Sequence, residues 1–383
     1  MPSISELIVD QYHRMESDRS PARLHALLGA HGCYVYAAGG YGRQVAAALS
    51  DRGYAVKGFV DAGATAGATV AGLACFAPGA IDGATAASAV LVIGINNFRM
   101  PVEEVAAWAR QTGFVDTIFV PELPDLLGPE LGNYWQAPRQ LLVDHSDAIA
   151  QVSNMLADQR SREIFEQLVR YRMTGRPEDH PEVDRDRQYF PADLPLPVKT
   201  VAAVDCGAFP GDLVETAQKA GTPIARWFAF EPDPANFRAL SDFAAKAEGL
   251  DEAVLFPCGV ADRTGSVRFA TGNADASRAV DNVEGSESLP IVRIDDVLRS
   301  DHIDLVKLDI EGFEAAALDG MAALLTRHRP RLAMAIYHKP ADLWELPLKV
   351  AAMLPGGRFA IRQHGHNGYD TVLYVDWDSA TAM

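Results

Sequence analysis

The sequence predicts an α/β protein made of two tandem units, each built on a mostly parallel sheet. Two strand–glycine turn–helix openings carry this prediction, one at residues 33–49 and one at residues 201–220. Alternating strands and helices follow each opening, as in parallel α/β units. A chain of 383 residues can bury two separate cores. We predict an N-terminal domain over residues 1–130, a helical linker over 131–195 and a C-terminal domain over 196–383.

The composition and charge exclude several classes of protein. With 48% hydrophobic and 22% charged residues, the chain is typical of soluble globular proteins. Its four cysteines are widely spaced without a CxxC pair, which argues against a disulfide framework or a zinc cluster. A net charge of −17 would repel phosphates, so we expect no nucleic-acid partner. No apolar run approaches the roughly 20 residues of a membrane helix, and no signal core opens the chain. We therefore expect a cytoplasmic protein without a membrane partner, and a homo-oligomer is possible.

The N-terminal unit has the beginning of a Rossmann-like domain. A strand at residues 33–38 leads into a glycine turn at 39–42, and the next strand ends at Asp61. That acid lies 61 − 42 = 19 residues after Gly42, near the spacing of about 20 for an acid that binds ribose. Ala37, however, replaces the first glycine of the dinucleotide-binding motif. Two interpretations stay open, a nucleotide-binding unit or a structural domain that docks a partner.

The predicted linker contains one helical region and one solvated stretch. Residues 147–173 have helical periodicity, with Ser161 as the predicted N-cap and Gly175 as the predicted end. Residues 176–187 are charged and interrupted by proline. The aromatic pair Tyr189 and Phe190 follows, predicted to be exposed, and either covers a pocket or packs the linker against the domain.

The second opening predicts a binding site for an adenosyl cofactor. In the segment VDCGAFPGD, a strand runs into Gly207, and Gly211 begins a helix. Glycine lets the backbone approach a ligand closely, and a helix N-terminus offers N–H groups. The next strand ends at Glu231, 231 − 205 = 26 residues after Asp205. A carboxylate there can accept hydrogen bonds from both ribose hydroxyls.

A third strand supplies the other side of this predicted site. It brings Cys258 and Gly259 beside the position of the adenine. The alternative is that Cys258 is only a small buried side chain.

These segments resemble the FkbM-type methyltransferases, which use S-adenosylmethionine (SAM) and mostly methylate hydroxyl groups. The resemblance covers residues 188–377 and rests on VDCGAFPGD, FEPDPANF, VADRTGSVRF, IDLVKLDIEGFEAAALDG, AIYHKPADLWELP and VLYVDW. It implies the class I methyltransferase fold, a mostly parallel seven-stranded sheet that ends in an antiparallel hairpin. The predicted hairpin strands are RFAIRQ and TVLYVDW.

The resemblance also implies the roles of the cofactor residues. Glu231 holds the ribose, and the methionine part of SAM is held by Asp205, Gly207, Ala208 and Gly211. The family usually has two smaller residues where this chain has Phe209 and Pro210, so we expect a different shape at the methionine end of the pocket.

Polar residues at two further strand ends are the candidates for catalysis. Asp309 and Glu311 end one strand, and His338 ends the next. Our preferred base is His338, because its ordinary pKa of about 6.5 suits proton removal near neutrality. Asp309 orients that ring or takes the proton itself. The alternatives are a structural role for His338, and a role for Glu311 and Glu314 in complementing a helix dipole.

We predict no metal site. Asp309 and His338 are too few ligands for one, and the pair His364 and His366 is interpreted as solvated.

The sequence therefore predicts a SAM-dependent O-methyltransferase whose acceptor is a hydroxyl of a sugar, glycan precursor or secondary metabolite. The first alternative is an NAD(P)-dependent oxidoreductase centred on residues 39–61, although no Tyr-x-x-x-Lys motif supports it. The second is a catalytically silent SAM-binding module. Acceptor choice is expected to depend on the polar loops at 176–190 and 270–289, whose composition does not identify the acceptor.

Overall fold

The computed structural model describes residues 3–270, 278–279, 286–298 and 302–377, which form two compact units. Unit 1 comprises Met1–Ser153, Glu163–Val183 and Gly365–Tyr369, and unit 2 comprises Asn154–Arg162, Asp184–His364 and Asp370–Met383. Packing thus assigns pieces of the predicted linker to both units. The domain boundaries at 130 and 195 remain predictions from the sequence.

Unit 1 is built on one six-stranded sheet. Its strands are β1 (Cys33–Tyr36), β2 (Val56–Val60), β3 (Thr69–Val70), β4 (Leu73–Phe76), β5 (Val90–Ile93) and β6 (Thr117–Ile118). The spatial order is β3-β4-β2-β1-β5-β6, and every neighbouring pair is parallel except β3 with β4. Buried side chains on both faces, such as Val92 on one face and Leu91 on the other, explain the continuous apolar runs of these strands.

The helices that precede the sheet of unit 2 are mostly amphipathic. They are α1 (Ile4–Asp18), α2 (Pro21–His31), α3 (Gly40–Asp51), α4 (Gly83–Ala86), α5 (Val102–Thr112), α6 (Leu123–Leu127), α7 (Gln140–Asp144), α8 (Ser146–Met155) and α9 (Gln159–Thr174). β1 is two residues shorter than predicted, because Ala37 has a left-handed backbone with φ 78° and leaves the strand.

The helical region predicted at 147–173 is two helices, α8 and α9. The prediction of Ser161 as an N-cap is wrong, because Ser161 lies inside α9 and donates its hydroxyl to Asp158 at 2.7 Å. Gly175 ends the helix as predicted, with φ 67° and its N–H bonded to the Tyr171 carbonyl at 2.8 Å. The predicted apolar face is buried and consists of Ile164, Phe165, Leu168 and Val169.

Unit 2 has a seven-stranded sheet and a smaller four-stranded sheet. The strands are β7 (Val201–Cys206), β8 (Ile224–Phe230), β9 (Glu252–Phe256), β10 (Gly259–Val260), β11 (Gly265–Ala270), β12 (Arg278–Ala279), β13 (Ser286–Val292), β14 (Leu305–Leu308), β15 (Arg331–Ala335), β16 (Arg358–Gln363) and β17 (Thr371–Asp376). The larger sheet has the order β16-β17-β15-β14-β7-β8-β9 and the smaller one β10-β13-β11-β12.

The larger sheet confirms the predicted fold class. Its strands from β15 to β9 are parallel, and β17 runs antiparallel to both β15 and β16. The carboxyl ends of β7, β8, β14 and β15 therefore meet at one edge of the sheet, where open α/β sheets bind their ligands. The accompanying helices are α10 (Asp212–Ala220), α11 (Pro234–Ala244), α12 (Ile294–Val297), α13 (Glu314–Gly320), α14 (Ala322–His328) and α15 (Asp342–Met353).

The sequence analysis did not predict the smaller sheet. Most of the loop at 270–289, to which we attributed acceptor choice, lies outside the described residues. Within the described part of the chain, none of the helices has the length and apolar character needed to span a membrane.

Candidate active site

The loop between β7 and α10 depends on glycine at two positions. Gly207 has φ 76°, and a Cβ there would lie 2.0 Å from the Asp309 carbonyl oxygen. Gly211 has φ 111°, and a Cβ there would lie 2.5 Å from the Phe243 ring. Between them, Phe209 has an unusual left-handed backbone with φ 49°, and 43% of its surface is exposed. The loop is thus a tight turn that presents one aromatic side chain to solvent.

Glu231, at the end of β8, joins this loop to its own turn. Its carboxylate accepts a hydrogen bond from the Phe209 amide at 3.0 Å and another from the Asp233 amide at 2.9 Å. Burial raises the pKa of Glu231, and the two amide hydrogen bonds oppose that rise. Each oxygen of a carboxylate has a second lone pair, so further hydroxyl donors can bind the same group.

Asp205 lies completely buried under the loop. The Trp227 indole donates to its Oδ2 at 3.1 Å, and the Lys307 ammonium lies 3.2 Å from its Oδ1. Lys307 also donates to the carbonyls of Cys206, at 3.2 Å, and Gly207. Asp205 therefore stabilises the loop through Lys307. The role of Asp205 in holding the methionine part of SAM stays a prediction. The complete burial of this side chain disfavours such a direct contact.

Lys307, which was not predicted as a site residue, stands within the apolar strand β14. Burial lowers the pKa of this lysine, but the negative charges of Asp205 and Asp309 outweigh burial and raise it overall. Lys307 is therefore a buried cation. The signal available in the sequence was a single lysine inside the otherwise apolar run LVKL.

The other loop residues of the predicted cofactor site are enclosed. The amides of Gly207 and Ala208 both donate to the Phe230 carbonyl, at 2.9 and 3.0 Å. Cys258 is buried, and burial raises the pKa of its thiol to about 11, so the group stays neutral. A Cβ at Gly259 would lie 3.3 Å from Ile291, which shows how closely β10 and β13 pack.

The predicted catalytic residues Asp309, Glu311 and His338 lie together. The Nε2 of His338 is 3.2 Å from Asp309 and 3.9 Å from Glu311, and its Nδ1 is 2.7 Å from Glu314. Burial alone would lower the pKa of His338, but the surrounding carboxylates, Glu314 first, raise it well above the ordinary value. His338 is therefore an imidazolium at neutral pH. The prediction that His338 is the catalytic base stays untested. The positive charge disfavours it, because a protonated ring cannot take up another proton.

Asp309 remains ionised in the same cluster. Burial would raise its pKa, but the hydrogen bond and charge of His338, with help from Lys307 and Tyr189, lower it to about 2. The Tyr189 hydroxyl donates to Asp309 Oδ2 at 2.6 Å. Tyr189 and Phe190 are both buried, so their prediction as an exposed pair is wrong.

Tyr337, which the sequence places beside His338, and Asp370, which was not predicted as a site residue, complete this edge. Asp370 precedes β17 and interacts with the Tyr337 side chain through a hydrogen bond. Burial, followed by the charge of Asp309, raises the pKa of Asp370 to about 7. The sequence carries no local signal for this role, because Asp370 comes from the hairpin turn 33 residues after Tyr337, by the subtraction 370 − 337.

One histidine of the hairpin pair, His364, differs from the prediction. His364 is buried, with Nδ1 2.6 Å from the Asp184 carbonyl and Nε2 2.8 Å from the Tyr374 hydroxyl. Burial lowers its pKa to about 4, so the ring is neutral. The prediction that His364 is solvated is wrong. Among the described residues, no group of three or more metal-ligating side chains is arranged to hold a metal ion.

The opening of unit 1 repeats one feature of unit 2. The Asp61 carboxylate accepts a hydrogen bond from the Ala38 amide at 2.9 Å and another from the Gly63 amide at 2.9 Å. This is the arrangement that Glu231 makes with the loop after β7 and with its own turn. Whether unit 1 binds a nucleotide stays a prediction.

We expect the substitution Lys307→Met to destabilise unit 2 by about 3–5 kcal/mol, because it leaves the Asp205 carboxylate buried without a cation. The double variant Asp205→Asn/Lys307→Met should recover part of this loss, since no unpaired charge remains. Urea denaturation measures both free energies of unfolding. Strictly additive effects of the two substitutions would contradict the pairing.

We also expect a specific loss of stability in alkaline solution. Since the pKa of His338 is raised on folding, its stabilisation is complete below the unfolded value of about 6.5. This stabilisation is lost as the pH rises from about 6.5 through the pKa of His338 in the folded protein. The substitution His338→Gln should remove this slope from a plot of unfolding free energy against pH.

The matched control for this slope is His364→Gln, at another buried histidine. The pKa of His364 is lowered on folding, so its effect falls between about pH 4 and 6.5 and has the opposite sign. The His364 variant should therefore keep the alkaline slope. An unchanged alkaline slope in the His338 variant would show that the carboxylates do not stabilise the imidazolium.

Comparison with known proteins identifies the domain that carries this site. Residues 205–367 match the model of the methyltransferase FkbM domain. The chain is similar in fold to the crystal structure of methyltransferase FkbM from Methylobacillus flagellatus KT, with a TM-score of 0.78 and 21% sequence identity over 97% of this chain and 99% of that chain. No curated protein matches the chain. The predicted resemblance is confirmed, and the chain carries, at residues 205–367, a methyltransferase domain of the FkbM family.

Proposed function

We propose that the protein is a SAM-dependent O-methyltransferase that acts on a hydroxyl of a sugar, a glycan precursor or a secondary metabolite. One observation carries this proposal, the acidic edge of the sheet within an FkbM domain. Its ionisable members are Glu231, Asp309, His338 and Asp370. SAM carries a positive charge, so an acidic edge attracts it. The hydroxyl acceptor needs a group at this edge that removes its proton.

The residues present fit SAM. Bound SAM supplies a methyl group on a positively charged sulfur. Glu231 retains lone pairs for ribose hydroxyls beyond its two amide hydrogen bonds. Gly207 and Gly211 let the loop turn tightly at the carboxyl ends of the strands, where open α/β sheets bind ligands. Asp309 would contribute a negative charge that attracts the positively charged sulfur of SAM to this edge of the sheet. The methyl donor of the family thus has a matching set of groups.

The chain's own residues divide the work of the reaction in this proposal. Glu231 and the loop orient the donor, and such alignment can supply roughly 7–11 kcal/mol of the barrier. His338 acts as a buried cation that fixes the Asp309 carboxylate at 3.2 Å. Tyr189 fixes the other oxygen of that carboxylate. Asp309 is thereby a rigid negative charge and is poorly suited as a base, because its pKa is about 2.

The overall charge of −17 supports a small or glycan-like acceptor over a nucleic acid. The exposed Phe209 ring at the cofactor loop offers an apolar surface for such an acceptor.

The oxidoreductase alternative keeps one supporting observation, the hydrogen bonds of Asp61 to the Ala38 and Gly63 amides in unit 1.

We expect Glu231→Gln to weaken SAM binding by about 10- to 100-fold, because one hydrogen bond to a charged group contributes roughly 1.5–3 kcal/mol. Isothermal titration calorimetry with SAM and with S-adenosylhomocysteine measures the change. Asp61→Asn is the matched control and should leave SAM affinity unchanged. If Asp61→Asn weakens SAM binding and Glu231→Gln does not, the cofactor site is assigned to the wrong unit.

The same pair of variants separates the alternatives. Thermal stabilisation of the unaltered protein by NADH but not by SAM, lost in Asp61→Asn, would favour the oxidoreductase.

O-methylation itself is tested with methyl-labelled SAM and a panel of sugars and phenols with matched amines. We expect label in the hydroxyl compounds, identified by mass spectrometry as methyl ethers. Transfer only to amines would contradict the O-methyl specificity. Tight SAM binding without transfer to any compound would favour the silent module.

A further inference from the structure

The ionisable side chains selected from the sequence are already engaged with neighbours. Both ring nitrogens of His338 face carboxylates, Asp309 at 3.2 Å and Glu314 at 2.7 Å. Asp309 uses its second oxygen for the Tyr189 hydroxyl. Glu231 accepts one backbone amide at each oxygen. His338 already carries its second proton, and a proton taken by Asp309 would break its ion pair with that ring.

Asp370 occupies a different position on the same edge. In the antiparallel ladder, Ala335 pairs with Val372, and the Ile336 amide donates to the Thr371 carbonyl at 3.0 Å. The next pair along this register brings Asp370 opposite Tyr337, just beyond the carboxyl end of β15. The hairpin turn therefore delivers a carboxylate to the strand ends that carry His338. Asp370 as a residue is half-buried, and burial is the largest cause that raises the pKa of its carboxyl group.

The charges that face Asp370 come from three elements of unit 2. Asp309 follows β14, and its negative charge raises the pKa of Asp370 together with burial. Tyr337 and His338 follow β15 and lower that pKa, and Arg185 does so from the segment before Tyr189. The resulting value of about 7 is the one at which a base exchanges protons most effectively near neutrality.

We propose that the Asp370 carboxylate is the catalytic base that takes the proton of the acceptor hydroxyl. This inference rests on the O-methyl transfer proposed above. The hydroxyl oxygen forms a bond to the methyl carbon as the carbon–sulfur bond breaks, and the sulfur keeps the bonding electron pair. The hydroxyl proton passes to an Oδ atom of Asp370. The sulfonium becomes a neutral thioether, and the Asp370 carboxylate becomes a neutral carboxyl group, so the total charge is unchanged.

This assignment predicts a proton exchange that is measurable without an acceptor. A cation bound beside Asp370 favours its ionised form, so SAM binding at pH 7 should release about half a proton from a carboxyl group with pKa about 7. S-adenosylhomocysteine has no sulfonium charge and should release much less. Calorimetry in two buffers with different ionisation enthalpies measures the released protons.

The substitution Asp370→Asn should abolish the difference in proton release between the two ligands while SAM still binds. Asparagine tolerates the left-handed backbone that Asp370 adopts at φ 51°, so we expect the variant to fold. Asp342→Asn is the matched control. Its carboxyl pKa is raised to about 6 by burial, and its oxygen accepts the Lys339 amide at 2.7 Å. This control should keep the proton release of the unaltered protein.

The rate of methyl transfer provides a second readout. With a hydroxyl acceptor from the panel, Asp370→Asn should be slower by about 10²–10⁴-fold and should lose the rise in rate around pH 7. Proton release by Asp370→Asn equal to that of the unaltered protein would overturn this inference, as would an unchanged rate. Failure of the unaltered protein to bind SAM would overturn the proposed function as well.

Discussion

The buried ion pair between Lys307 and Asp205 is the interaction on which the site depends. It joins β14 to β7, and the same ammonium holds the carbonyls that begin the glycine loop. Two buried charges are costly to remove from water, and they persist only when each is well paired. Lys307 lies two residues before Asp309. The position of the glycine loop and that of the acidic edge are therefore set by the same side chain.

Around this pair, the edge of the sheet balances negative charge with two buried cations. Asp205, Asp309 and Glu314 contact Lys307 or His338, so each of these carboxylates lies beside a buried cation. Burial, followed by the negative charge of Asp309, raises the pKa of Asp370 to about 7. The acidic edge thus contains Asp309, whose pKa is lowered to about 2, and Asp370, whose pKa is raised to about 7. Such separation of pKa values is how enzymes distribute binding and proton transfer among similar side chains.

The two units have the same local hydrogen-bond arrangement near the start of their sheets. In each, an acid at the end of the second strand accepts an amide of the glycine loop and an amide two residues further along its own turn. The unit 2 acid, Glu231, is almost completely buried, whereas Asp61 is half-buried. Because the pattern recurs in both units, it serves first to order the turn. Ligand recognition by the remaining lone pairs is a separate property, which the matched variants of the two acids distinguish.

The sequence by itself determined the two α/β units, the parallel sheet with its final hairpin, and the meeting of Asp309 and His338. These depend on local patterns such as strand periodicity, glycine turns and polar residues at strand ends, which neighbouring residues encode. Only the tertiary structure decided that His338 is charged, that Tyr189 is buried on Asp309, that His364 is enclosed and that Asp370 lies at the edge. Each of these depends on partners far apart in the chain, because burial and the fields of distant charges set the state of an ionisable group.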